Sequence, residues 1–298
     1  MKKVLVTGGA GFIGSNLVDL LLERDYEVIV VDNQSANSHT EYYWNEKTKN
    51  YKIDLNSNVD ALTELCKGCD YIFHLAADVS IPYCIEHPNN SYLNNVGSLC
   101  SVLEAARHAK VDKVVFSSTA AIYGLTNKVC VENDIPDPLN PYSVSKLAGE
   151  QLMKMYYDLY NVKTVTLRYF NVYGPRQPKS GQYAPVIGIF SQQKKDGKTL
   201  TVVGDGLQTR DFVHVSDIAL ANLTVAEKDV DNYGQVYNVG TGRPISVKKI
   251  ASMFSDDIVH LPPRPAEARH SSANISKIKR TYGWEPKVNL EEWIKENA

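Results

Sequence analysis

A glycine-rich turn near the amino terminus limits what this chain can fold into more than any other feature. Thr7-Gly8-Gly9-Ala10-Gly11-Phe12-Ile13-Gly14 follows the apolar run Val4-Leu5-Val6 and opens an amphipathic stretch from Phe12 to Arg24. The apolar run reads as a buried strand and the stretch as a helix. Glycines at 8, 11 and 14 permit a tight turn, close backbone approach to a pyrophosphate, and close helix–strand packing. The phosphates would rest on the helix N-terminus. A glycine turn alone could merely pack a helix on a strand. Here a second strand, Glu27-Val28-Ile29-Val30-Val31, leads to Asp32 and Asn33. A carboxylate at that place hydrogen-bonds the adenosine ribose and repels a 2′-phosphate. No Lys or Arg lies between Asp32 and Asn45 to reverse that preference. The spacing therefore predicts a dinucleotide site that takes NAD rather than NADP.

The rest of the first half keeps the same rhythm. Tyr51-Lys52-Ile53, Tyr71-Ile72-Phe73-His74-Leu75, Lys113-Val114-Val115-Phe116-Ser117 and Thr164-Val165-Thr166-Leu167-Arg168 read as strands, with helical patterns between them. Short apolar strands separated by helices predict an α/β fold: a doubly wound parallel Rossmann sheet covered on both faces. Beyond Arg168 the loops become rich in Gly and Pro (Gly174-Pro175-Arg176-Gln177-Pro178, Pro262-Pro263-Arg264-Pro265) and the elements shorten. The expected division is a Rossmann domain over 1–168, receiving part of 211–240, and a smaller mixed α/β substrate-binding lobe over 169–298. Residues 35–50 give no clear signal.

Composition narrows the function class. A formal net charge of −2 with 22% charged residues gives no reason to expect nucleic acid or an anionic membrane. No apolar run approaches the ~20 residues of a membrane helix. The five cysteines are odd in number and scattered, which suits a reducing, cytoplasmic setting. Cys66-Lys67-Gly68-Cys69 lacks the second pair a structural zinc site needs, so no metal is expected.

Chemistry is suggested by Pro141-Tyr142-Ser143-Val144-Ser145-Lys146. Asn140 is a good helix N-cap and Pro141 fits the first helical position. On that helix Tyr142 and Lys146, at i and i+4, share a face. An ammonium beside a phenol is expected to lower the phenol's pKa from about 10, making it a base for a substrate hydroxyl.

With these motifs in order, the chain resembles the extended short-chain dehydrogenase/reductase superfamily, and within it the nucleotide-sugar epimerases of the UDP-glucose 4-epimerase type. The resemblance runs through His74-Leu75-Ala76-Ala77, Asn94-x-x-Gly97, Ser117-Ser118-Thr119, Tyr142-x-x-x-Lys146 and Arg168-Tyr169-Phe170-Asn171-Val172-Tyr173-Gly174-Pro175. It continues in Gly204-Asp205-Gly206, Arg210-Asp211-Phe212, Val215-x-Asp217, Asn238-Val239-Gly240 and Gly283-Trp284-x-Pro286. It implies Tyr142 as acid/base, Lys146 on the nicotinamide ribose and Thr119 on the reacting hydroxyl. NAD would be held by Gly8, Gly11, Phe12, Ile13, Gly14, Asp32, Asn33, Asp54, Leu55, Leu75, Ala76, Ala77, Ser117 and Tyr169, together with the catalytic pair. A UDP-sugar would meet Ser80, Thr119, Tyr142, Asn171, Val186, Arg210, Arg264, Glu267 and Ser271. His74 and Asn94 are expected to be structural. The family usually forms homodimers through two helices, here near Tyr92–His108 and Tyr142–Tyr160.

The chemistry so implied is C4 epimerisation of a UDP-hexose through a 4-keto sugar on bound NAD. Dehydratases of the family carry carboxyl groups directly after the serine pair, where this chain has Thr119-Ala120-Ala121. Dehydratase and UDP-glucuronate epimerase or decarboxylase chemistry are the alternatives, and a non-catalytic NAD-binding module is the alternative of a different class. Ser271 aligns with a gatekeeper that is tyrosine in members preferring UDP-glucose/galactose and small in members accepting an N-acetyl group. UDP-GlcNAc/UDP-GalNAc is thus the favoured pair, with UDP-Glc/UDP-Gal as the second.

Overall fold

The structure, a computed structural model, describes residues 1–36, 41–57, 59–179, 184–263 and 268–297. Seven strands form one wholly parallel sheet: β1 (Lys3–Thr7), β2 (Glu27–Val31), β3 (Lys49–Tyr51), β4 (Tyr71–His74), β5 (Lys113–Thr119), β6 (Lys163–Tyr169) and β7 (Gln235–Val239). Their spatial order is β7-β6-β5-β4-β1-β2-β3. Alternate residues of each strand face opposite sides. Val4 and Val6 pack with helices α1 (Phe12–Glu23) and, later in the chain, Val215–Glu227, while Leu5, Ile29 and Ile72 pack on the other face. That second face is covered by α2 (Val59–Cys66), α3 (Ser98–Ala109) and α4 (Pro141–Tyr160). This is the doubly wound Rossmann arrangement expected from the apolar runs.

The strand order reverses at β1, so the carboxyl ends of β1, β2 and β4 open a crevice between diverging connections. Thr7 stands between Val31 and His74 in register, and its hydroxyl bonds the His74 Nδ1 at 2.8 Å. The turn after β1 is tight because α1 begins against it. A Cβ on Gly14 would stand 2.1 Å from the Gly8 carbonyl oxygen. The β3 strand begins two residues before its expected place. It lies at the sheet edge with Lys49, Asn50 and Tyr51 all exposed, so no apolar alternation marks it.

Helix α4 starts as its sequence predicts. The Asn140 side chain accepts from Ser143 N at 3.0 Å, and the Ser143 hydroxyl accepts from Asn140 N at 3.2 Å, a reciprocal cap. Gly149 lets this helix approach the sheet closely, since a Cβ there would lie 2.6 Å from the Phe116 ring. A buried ion network then fixes its position. Arg168 of β6 donates to both oxygens of Glu150 in α4, at 2.9 and 2.7 Å. Ser118 of β5 donates to the same carboxylate at 2.5 Å. The Arg168 and Glu150 side chains are only 4% and 2% exposed.

A third apolar cluster lies away from the sheet. It gathers Ile187 and Phe190 from the helix Val186–Lys195, Ile250 and Phe254 from Val247–Phe254, and Ile294 from Leu290–Asn297. The chain passes through this region twice, because Val215–Glu227 and β7 return to the sheet between its parts. The buried thiols of Cys66 and Cys69 are pushed up to about 12 and about 11 by burial, which leaves them inert.

Two outcomes follow from the buried charges. Glu150→Gln leaves Arg168 buried without its counter-charge, and urea unfolding should show a loss of about 3–5 kcal/mol; a loss under about 1 kcal/mol contradicts the network's importance. His74 is held down at about 3, first by burial and then by Lys146. Between pH 6.5 and 3 the unfolded chain therefore takes a proton that the native state refuses, so stability falls with pH in that window. A His74→Gln variant should lose up to about 1.4 kcal/mol per pH unit of that slope. Equal slopes in urea titrations at pH 4–6 would refute it.

Candidate functional site

A cleft with a cavity volume of about 290 Å³ runs along the carboxyl ends of β1, β2, β4 and β5. Its floor is the glycine turn and the start of α1, where Gly11 is the N-cap, no side chain caps the helix, and the first turn holds no acidic residue. Backbone N–H groups and the helix dipole at such an end suit an anion. A Cβ on Gly8 would stand 2.7 Å from Ala76 N, so the turn and the wall after β4 fit only without a side chain there. Asp32 lies at the end of β2, 9% exposed, accepting from Ala10 N at 3.1 Å and Gln34 N at 2.8 Å. Farther along the same edge, Asp54 accepts from Asn56 N at 2.8 Å. The cradle, the helix end and the carboxylate together fit a dinucleotide lacking a 2′-phosphate.

The inner end of the cleft holds the side chains with chemistry. Tyr142 and Lys146 are both at the cleft, with Thr119 at the end of β5. Thr119 lies close enough to Tyr142 to favour its phenolate, while the Thr119 Oγ1 accepts from Ala121 N at 3.1 Å. Lys146 is 2% exposed and donates to the Ser117 carbonyl at 2.8 Å, its ammonium 4.9 Å from the centre of the Phe116 ring. Tyr169 also lines the cleft, with its hydroxyl exchanging hydrogen bonds with the Asn222 amide at 2.9 and 2.7 Å.

The electrostatics differ from the expectation drawn from the i, i+4 pair. Burial pushes the Tyr142 phenol up to about 12, only partly opposed by the nearby Thr119. Burial also brings the Lys146 ammonium down to about 7. The lysine therefore does not pull the phenol below its ordinary value in this state. Desolvation disfavours both charged forms, and it outweighs the attraction one would have for the other.

Of the residues singled out from sequence, the cleft brings together Gly8, Gly11, Phe12, Ile13, Gly14, Asp32, Asn33, Asp54, Leu55, Leu75, Ala76, Ala77, Ser117, Thr119, Tyr142, Lys146 and Tyr169. Ser80, Asn171, Val186, Arg210 and Ser271 do not border it. Ser80 instead caps the short helix Ile81–Glu86, accepting from Tyr83 N at 3.2 Å. Arg264 and Glu267 lie outside the described residues.

The cleft also contains groups that sequence reasoning passed over. Asp78, 4% exposed, accepts from Asn94 Nδ2 at 2.7 Å, and burial raises its pKa. Its place directly after His74-Leu75-Ala76-Ala77 was the available signal. Tyr42 lines the opposite end, donating to the Ala36 carbonyl at 3.1 Å, and comes from a stretch with no periodicity to announce it.

Comparison with known proteins agrees with this geometry. Residues 4–240 match the model of the NAD dependent epimerase/dehydratase family. The UDP-glucose 4-epimerase of Mycolicibacterium smegmatis is 35% identical over 98% of this chain and 96% of its own length. Among solved structures, the UDP-glucose 4-epimerase of Thermotoga maritima with UDP-glucose is 36% identical with a TM-score of 0.91, covering 99% of this chain and 97% of that one. The UDP-N-acetylglucosamine 4-epimerase of Methanobrevibacter ruminantium, in complex with UDP-N-acetylmuramic acid, is 35% identical with a TM-score of 0.92, covering 99% and 96%. A strand–glycine turn–helix at the switch point, an acid closing the second strand, and a buried Tyr-x-x-x-Lys helix facing the same cleft thus belong to one pattern, and the chain is a member of the NAD-dependent epimerase/dehydratase family.

Proposed function

We propose that the protein is a UDP-sugar 4-epimerase working with bound NAD. The observation that carries this reading is the convergence of Tyr142, Thr119 and Lys146 on the inner end of a cleft whose outer end is shaped for a dinucleotide. Tyr142 takes the proton of the C4 hydroxyl, and Thr119 holds that oxygen in place. When bound, NAD supplies an oxidised nicotinamide that accepts a hydride from C4 and can give it back. Tyr142 then returns its proton to the C4 oxygen, and the sugar leaves with C4 inverted if the keto sugar has turned over. Burial alone keeps the phenol protonated, so its work as a base depends on positive charge at this end of the cleft, the Lys146 ammonium included. Excluding water protects the keto sugar between the two transfers.

We assign Asn171, Arg210 and Arg264 to the UDP pyrophosphate, where arginine forks suit a diphosphate. Ser80, Val186, Glu267 and Ser271 complete the substrate set. A serine at 271 leaves room for an acetamido group, so UDP-GlcNAc/UDP-GalNAc is the preferred pair. The likeness to the Methanobrevibacter enzyme supports that preference. A homodimer is supported by the exposed apolar residues Tyr92 and Leu93, just before α3, and Leu159 and Tyr160 at the end of α4. Five free thiols suit a cytoplasmic enzyme.

The test is incubation of the purified protein with UDP-GlcNAc, UDP-Glc and UDP-glucuronate without added NAD, with products read by NMR. The expected result is C4 epimers with no net redox change, fastest for UDP-GlcNAc. Tyr142→Phe should lower kcat by about 10²–10⁴ while bound NAD stays at the wild-type level. Loss of water or CO₂, or a Tyr142→Phe variant as active as wild type, would overturn the reading.

A further inference from the structure

We propose that Arg176 closes a clasp across the cofactor cleft and sets how slowly NAD leaves. Arg176 lies in the loop after the strand Asn171–Tyr173. Its guanidinium pairs with Asp19 of α1 at 2.7 Å, both side chains about two-thirds covered at 32% and 34% exposure. It also lies 5.3 Å from the centre of the Tyr43 ring, within the range of a cation–π contact. Its neighbour Pro175 accepts from Asn16 Nδ2 at 3.1 Å, one helical turn before Asp19. The other oxygen of Asp19 accepts from Asn45 Nδ2 at 2.9 Å. Tyr43 is tied in turn to the glycine turn itself, since Tyr43 N donates to the Ala10 carbonyl at 2.8 Å.

One arginine therefore joins three pieces of chain: helix α1, the segment 41–45, and the loop 174–178. Residues on either side of it, Tyr42 and Pro178, line the cleft. The arginine holds φ +67°, a backbone region that L-residues other than glycine seldom occupy. The cleft wall opens between Tyr42 and Pro178 only if the Arg176 contacts break. None of these residues touches the inner end where Tyr142 lies, so the clasp governs retention of the dinucleotide and not the proton transfer. The consequence suits a reaction in which the hydride must return from the cofactor that took it. The inference rests on the NAD cleft alone and stands whichever sugar is used.

The test measures cofactor loss from the NAD-loaded protein. Wild type, Arg176→Ala, Asp19→Ala, the double variant and Arg176→Lys are passed through desalting columns at intervals, and retained NAD is quantified after acid release. Each alanine variant should lose NAD about tenfold faster than wild type, and the double variant no faster than the faster single. Arg176→Lys, which keeps the charge without the planar fork, should fall between. Melting midpoints at saturating NAD should stay near wild type. Unchanged retention in Arg176→Ala, single effects that multiply in the double variant, or a lowered midpoint with normal retention would overturn the proposal.

Discussion

The carboxylate of Glu150 holds the chemical end of this molecule together. It sits in the middle of α4, the helix that carries Tyr142 and Lys146, and it is bound from two different strands. One bond comes from Ser118, next to Thr119. The others come from Arg168, next to Tyr169. Four side chains that line the cleft, Tyr142, Lys146, Thr119 and Tyr169, therefore take their relative positions from one buried ion. Directional, charge-assisted bonds do this better than apolar packing, because packing tolerates small sliding motions and a bidentate arginine does not. Gly149, beside Glu150, lets the helix come close enough for those bonds to form.

The same burial sets the electrostatic problem of the site. A phenol and an amine are both taken out of water, and each moves toward its neutral form. His74, stacked 5.9 Å from Phe116 and also buried, stays neutral as well. The inner cleft is thus a place where charge is costly and any ion brought into it acts strongly. Such an environment makes the tyrosine's basicity sensitive to any charge placed in the cleft.

Much of this could be read from the amino-acid sequence, for physical reasons. Parallel strands buried on both faces must be short and apolar, so β1, β2, β4, β5 and β6 announced themselves. The turn at Gly8–Gly14 could be placed because α1 abuts it, and the cap at Asn140 because its chemistry is local. What escaped notice depends on contacts distant in sequence or on polar side chains without period. The edge strand β3 is exposed throughout, so its bounds lie two residues before their expected place, and Tyr42 belongs to an irregular stretch. Asp78 reads as an ordinary loop carboxylate until the fold buries it beside Asn94. The lowered phenol pKa expected from an i, i+4 lysine failed because local geometry says nothing of desolvation, which depends on the whole fold. The pairing of Gln235–Val239 with β6 at the sheet edge is long-range, and its exact partner strand has no local signal.

The most direct test of transient oxidation follows a UDP-hexose deuterated at C4 through epimerisation in ordinary water. If the hydride leaves C4 and returns from a cofactor that never exits, both epimers at equilibrium carry the deuterium at C4. Exchange of that label for solvent hydrogen during turnover would show that C4 is inverted by some other route, and would contradict the chemistry assigned to Tyr142 and its cleft.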